Sequence, residues 1–132
     1  MFNINLDIKP KILYVDDESI NLRLFKISFK DNCDITTSQS GEEGLKLIED
    51  NNKYDIIISD QRMPGMNGTQ FMIEAKKLLP NSKYILLTGY TDIEALEKAI
   101  NEVGLWQYVK KPWEPSNLKF IIEVGLVFKQ KM

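Results

Sequence analysis

Short apolar runs that stop at charged or hydroxylated residues alternate along this chain with longer stretches whose apolar positions recur every three or four residues. Lys11 to Asp17 (KILYVDD) is an apolar run halted by two acids, the form a buried strand takes where it reaches the edge of a sheet. Tyr54 to Asp60 (YDIIISD) repeats that form, and Cys33 to Ser38, Lys83 to Thr88 (KYILLT) and Leu105 to Lys110 are weaker versions of it. Helical spacing fills the intervals. Ile20, Leu24 and Ile27 share one face, Leu45, Leu47 and Ile48 do so in part, and Phe71, Met72, Ala75 and Leu79 form a third set. Ser40-Gly-Glu-Glu43 and Thr91-Asp-Ile-Glu94 match the capping box, in which each side chain satisfies the other residue's free amide.

Five repeats of strand then helix predict an α/β fold, a doubly wound five-stranded parallel sheet covered on both faces, because a parallel crossover needs a helix between its strands. Such sheets bind ligands at the carboxyl ends of their strands. Those ends carry Asp16 and Asp17 after the first strand, Asp60 after the third, Thr88 after the fourth and Lys111 after the fifth.

The composition narrows the chemistry. With 132 residues, 43% of them apolar, the chain has material for one domain and its own core. Seventeen basic residues against nineteen acidic ones are scattered, which leaves no electrostatic footprint for nucleic acid or an anionic membrane. No histidine is present, so catalytic triads, imidazole metal ligands and a phosphohistidine of the chain's own are excluded. Cys33, the single cysteine, reads as a small core residue. Met1 to Lys11 lacks the apolar run of a signal peptide or anchor, Glu123 interrupts the late apolar stretch, and a cytoplasmic protein is expected.

Three carboxylates converging on one sheet edge repel one another unless a cation sits among them. An oxygen-only ligand set suits a hard ion, for which Mg²⁺ is the natural candidate. One of the acids is then able to attack a phosphorus centre and form an acyl phosphate, with Lys111 supplying an ammonium and Thr88 a hydroxyl to the phosphoryl oxygens. Taken singly, each residue has a plainer reading: paired solvated acids, a loop-starting Asp, a strand threonine, a surface lysine. Only their convergence on one edge departs from it.

Asp16-Asp17, Asp60 within SDQRMPGMNG, Thr88-Gly89 and Lys111-Pro112 together resemble the receiver domain of two-component response regulators, over almost the whole chain from about Lys11 to about Lys129. DQRMPGMNG, LTGYTD and KPW are further similar to receivers fused to HD-GYP-type effectors. The resemblance implies a flavodoxin-like sheet of order 2-1-3-4-5, with residues 1–10 an N-terminal extension and 11–132 the receiver. It implies that Asp60 accepts the phosphoryl group and that Asp16, Asp17, Asp60 and the backbone carbonyl of Arg62 hold Mg²⁺. Lys111 and Thr88 would bind the phosphoryl group, a cis Lys111-Pro112 bond would aim the lysine into the site, and Thr88 and Tyr108 would act as the switch pair. Tyr90 and Arg62 would border the path of the hydrolytic water. The phosphoryl donor would be a sensor histidine kinase or histidine phosphotransfer protein, and the output a downstream effector domain or protein.

On the final helix, Leu118, Ile121, Ile122 and Gly125 can face the sheet, while Phe120, Val124 and Val127 form a second stripe that would suit a homodimer or effector interface. Two other aspartate or phosphate chemistries fit less well. A phosphatase of the haloacid dehalogenase type needs a second Asp two positions after the nucleophile, where this chain has Arg62. A flavin module needs a hydroxyl- and glycine-rich loop where it has Asp-Asp-Glu-Ser-Ile, and neither a Walker loop nor G-x-G-x-x-G occurs. A switch that only assists its own phosphorylation, rather than an enzyme acting on a separate substrate, is expected.

Overall fold

The computed structural model describes residues 9–51, 53–89 and 93–131, with side chains described as far as Gly125. Its elements alternate as the apolar pattern predicts: β1 (Lys11–Val15), α1 (Ser19–Phe29), β2 (Asp34–Ser38), α2 (Gly41–Asp50), β3 (Ile56–Asp60), α3 (Gly68–Leu78), β4 (Lys83–Thr88), α4 (Ile93–Lys98), β5 (Gln107–Lys110) and α5 (Pro115–Lys131). The strands form one parallel sheet in the order β2-β1-β3-β4-β5. β1, β3 and β4 are central, buried on both faces, and accordingly read as unbroken apolar runs. β2 lies at an edge, where DITTS is polar enough to face water.

The sheet separates two apolar layers. On one side α1 and α5 lay Leu22, Phe25, Phe29, Leu118 and Ile122 over Ile12, Tyr14, Ile58 and Leu87. On the other, α2 and α3 bring Ile48, Phe71, Met72 and Ala75 onto Leu13, Val15, Ile57 and Leu86. Cys33 is buried in the first layer, as expected of a small core residue, and burial pushes its thiol up to about 11.

On α1, Ile20, Leu24 and Ile27 share a face as their spacing predicts, and it is the outward one, at 61%, 51% and 69% exposure. Two apolar stripes run along this helix, and the one bearing Phe25 and Phe29 buries more area against β1 and α5. The cap of α2 is also half of what was expected: Ser40 Oγ accepts from the Glu43 amide at 3.1 Å, but Glu43 Oε1 accepts from Gln39 N rather than from Ser40. A complete capping box occurs instead at Asn67 and Gln70, at the start of α3. Thr91 of the other proposed box lies outside the described residues.

Two local features set the surroundings of the β3 end. Gly68 is the first residue of α3, and its amide donates to Gln61 O at 2.9 Å. A Cβ there would run into the Asp60 carbonyl, so the glycine is needed for close approach. Next to it, Thr69 Oγ1 donates to Gln61 Oε1 at 2.7 Å and lies 3.3 Å from the carbonyl of Ala95 in α4. Just beyond, Ala99–Val103 continues α4 as a wider π-type turn that closes at Gly104, in the left-handed region at φ +73°.

Replacing Gly68 with alanine therefore tests the packing directly. Helix propensity alone would favour alanine by about 1 kcal/mol. The contact with the Asp60 backbone reverses the sign, to a destabilisation of about 1–3 kcal/mol in urea unfolding. A stabilised Gly68→Ala would show that α3 has room to shift.

Candidate functional site

Register brings the acids together. Val15 lies opposite Ser59 in the parallel β1–β3 ladder, so the next residue on each strand, Asp16 and Asp60, leaves the sheet at the same level. Asp17 follows from the same loop, and one carboxylate oxygen from each of Asp16, Asp17 and Asp60 lies within 4.8 Å of the others. Asp16 and Asp60 are buried and Asp17 is exposed, so the cluster has a closed floor and an open mouth.

Asp16 is held by three donors: Tyr14 OH at 2.8 Å and Asn21 Nδ2 at 3.1 Å on Oδ2, and the Glu18 amide at 3.0 Å on Oδ1. Asp60 is met by Lys111, whose Nζ lies 2.9 Å from Oδ1. β5 positions that lysine beside β4, where its amide donates to Thr88 O at 3.0 Å, and the Lys111–Pro112 bond is cis. Thr88 is buried at the end of β4, with its hydroxyl donating to the Gly89 carbonyl rather than to a carboxylate.

The charges act on one another. Burial raises the Asp60 carboxyl above its ordinary value; the Lys111 hydrogen bond and charge oppose this, and Asp16 and Asp17 add to it. For Lys111, burial alone would favour the neutral amine, but the hydrogen bond and charge of Asp60 outweigh it and hold the ammonium more firmly than usual. With three oxygen donors and no nitrogen or sulfur ligand, the pocket fits a hard divalent ion such as Mg²⁺.

The remaining candidates lie around this centre. Arg62 follows Asp60 by two positions in the exposed turn before α3. Tyr108, on β5, is turned outward and is 42% exposed. On α5, Leu118, Ile122 and Gly125 are buried and Ile121 half-buried, while Phe120 is exposed and Val124 half-buried. The Val127 side chain and Tyr90 lie outside the described residues. Pattern reading missed four contributors: Tyr14, Asn21, Gln61 and Gly68. Only Tyr14 left a signal, as the one hydroxyl-bearing side chain in the otherwise aliphatic ILYV.

Residues 12–123 match the family model of the response regulator receiver domain. The chain belongs to that family, whose members act as phosphorylation-operated signalling switches in two-component systems. It is 33% identical over 112 residues to the hydrogenase transcriptional regulatory protein HoxA of Cupriavidus necator, which covers 85% of this chain but 23% of that protein. The chain thus spans about a quarter of that relative's length. A CheY-like receiver domain protein from Methanospirillum hungatei JF-1 superposes with a TM-score of 0.87 at 31% identity, over 93% of this chain and 98% of that one. The signal receiver domain of an HD domain-containing protein from Pseudomonas fluorescens Pf-5 also gives 0.87, at 25% identity over 94% and 99%. Among the described residues no helix is long and apolar enough to cross a membrane.

The raised Asp60 carboxyl sets a pH dependence. Its contribution to stability is present below the ordinary carboxylate range and is lost as pH rises through the raised value. Asp60→Asn cannot ionise, so in chelator it melts above the parent at neutral pH, by roughly 4 °C for each kcal/mol of burial cost and repulsion relieved. The gap closes on acidification. Melting curves recorded from pH 3 to pH 8 check this, and a constant gap would place its cause outside the Asp60 charge.

Proposed function

We propose that Asp60 is the phosphoryl acceptor of this receiver and takes the group from a partner's phosphohistidine. A carboxylate oxygen of Asp60 forms the new bond to phosphorus; the phosphorus–nitrogen bond breaks, and its electron pair stays on the imidazole, which leaves carrying a proton. The observation that carries this reading is the placement of Asp60: buried among two further acids and met on its open side by the Lys111 ammonium at 2.9 Å.

Asp16, Asp17, Asp60 and the backbone carbonyl of Arg62 would hold Mg²⁺. When bound, the ion offsets the charge that builds on the phosphoryl oxygens. Lys111 neutralises a second oxygen, and Thr88 donates its hydroxyl to a third once it releases the Gly89 carbonyl. Thr88 moving toward the site vacates space behind it, and Tyr108 turns inward from its exposed position to fill that space. The surface around α4, β5 and α5 changes with it, Phe120, Val124 and Val127 included, and an effector domain or a second copy of the chain reads that change. A cytoplasmic setting suits a partner kinase that draws on ATP.

The donor's approach is favoured from α1. Its outward Ile20 and Leu24 stand near the mouth of the pocket, since Asn21 of the same helix bonds Asp16, and Ile27 continues the stripe away from it. The helix, SINLRLFKISF, has Arg23 and Lys26 and no acid. This apolar, positively flanked face suits an amphipathic helix with acidic flanks on the phosphohistidine protein.

Acetyl phosphate with Mg²⁺ should add one phosphoryl group to the parent, visible by intact-mass spectrometry and removed by hydroxylamine, and none to Asp60→Ala. Equal labelling of that variant would move the acceptor elsewhere. Leu24→Glu should label normally with acetyl phosphate yet take phosphate from its phosphohistidine donor at least tenfold more slowly, as loss of a central apolar contact of about 1.4 kcal/mol requires. An unchanged transfer rate would remove α1 from the docking face.

A further inference from the structure

The middle of β1 is a run of fully buried positions, Ile12 to Val15, and three of the four are aliphatic. Tyr14 is the exception, and a hydroxyl in such a place is costly unless partnered. Its partner is Asp16, at 2.8 Å. A carboxylate oxygen accepts about two hydrogen bonds. Tyr14 and Asn21 together fill Oδ2 of Asp16, and the Glu18 amide takes one place on Oδ1. Of the sites for a cation on Asp16, one on Oδ1 remains.

The ring of Tyr14 reaches in the other direction. It packs on Phe25 at a centroid distance of 4.6 Å, and Trp113 sets its edge against Phe25 at 6.0 Å and lies 6.2 Å from Phe29. Trp113 thus meets Tyr14 through Phe25, while burial and the Asp16 charge keep the Tyr14 hydroxyl protonated and donating to that carboxylate. Trp113 stands two residues beyond Lys111, in the segment that presents the lysine to Asp60. With Asn21, Lys111 and Leu24 it lines a small groove of about 220 Å³ on the surface.

We propose that Tyr14 is a positioning residue for the acidic pocket, fixing Asp16 with a single oxygen turned to the ion and tying that carboxylate to Trp113 in the loop that carries Lys111. The proposal rests on the Mg²⁺-dependent reading above and extends it: cation binding at Asp16 is felt at Trp113, outside the pocket. Tyr14→Phe keeps the ring and its packing and removes only the hydroxyl. Asp16 then regains a free acceptor on Oδ2 and its carboxylate can swing, and loss of such an outer partner weakens metal binding by about 10–100-fold.

The experiment measures Mg²⁺ affinity by calorimetry, together with ¹⁹F NMR of protein carrying 5-fluorotryptophan, whose two resonances are assigned with Trp106→Phe. In the parent, Mg²⁺ should shift the Trp113 resonance. Tyr14→Phe should bind Mg²⁺ at least tenfold more weakly and, at saturating Mg²⁺, leave Trp113 unshifted. Ile48→Ala serves as the control, a fully buried residue of the opposite layer whose loss lowers stability but should leave both readouts at the parent's values. Parent-like affinity in Tyr14→Phe, or a Trp113 shift that survives in it, overturns the assignment. The same holds if Ile48→Ala weakens Mg²⁺ binding as much as Tyr14→Phe does, since stability alone would then account for the effect. A parent that does not bind Mg²⁺ at all overturns the metal reading itself, and this inference falls with it.

Discussion

The mutual repulsion of Asp16, Asp17 and Asp60 is the constraint on which the arrangement of this molecule depends. Three carboxylates within 4.8 Å are unfavourable unless something fixes them there, and the fold does so from several directions at once. The β1–β3 register sets Asp16 and Asp60 side by side, Gly68 lets α3 close against the Asp60 backbone, and β5 supplies the one ammonium that touches the cluster among the described residues. The two apolar layers flanking the sheet carry the stability that this edge gives up. A strained cluster held on a firm scaffold is what a site needs if a cation and a phosphoryl group are to be bound strongly only when both arrive.

Much of this could be read from the chain itself, because central parallel strands advertise themselves. Burial on both faces demands unbroken apolar runs, and the acids that end KILYV and IIIS mark the edge where function lies. Strand limits differed by a residue or two, at the end of β1 and at the starts of β2, β3 and β5, where the apolar run or the backbone bonding extends past the regular ladder, as when Asp16 donates its amide to Ser38 O. The direction of the Ile20, Leu24 and Ile27 face of α1 was not legible for a definite reason: periodicity locates stripes, and it does not say which of two stripes has more area to bury. Gln61 and Thr69 were out of reach altogether, and Tyr14 left only an odd hydroxyl in an aliphatic run, since such a group gains its meaning from a partner outside its own element.

The site touches the two layers by different means. On the α1 and α5 side the link is aromatic and runs from Asp16 through Tyr14 to Trp113. On the α2 and α3 side it is a chain of hydrogen bonds from Gln61, beside Asp60, through Thr69 toward Ala95 of α4. Proteins similar to this one differ in kind, a hydrogenase transcriptional regulatory protein in one case and the receiver domain of an HD domain-containing protein in another. A common core with links leading to both faces suits that variety, because the chemistry stays constant while the outer side chains are free to differ.

The wide turn at Ala99–Val103 bears on how such differences arise. A π-type turn holds one residue more than a regular helical turn would, and this one sits where α4 runs down to the buried Ala99 and Val103. A wide turn takes up its extra residue within one revolution, so the residues upstream keep the phase they would have on a regular helix one residue shorter. Glu94, Glu97 and Lys98 therefore address the same direction with or without that residue, while Asp60, Lys111 and the strands beneath them stay where they are. A lineage of these switches can gain or lose a residue here and keep its outward face, which leaves differences in partner choice to the side chains that cover it.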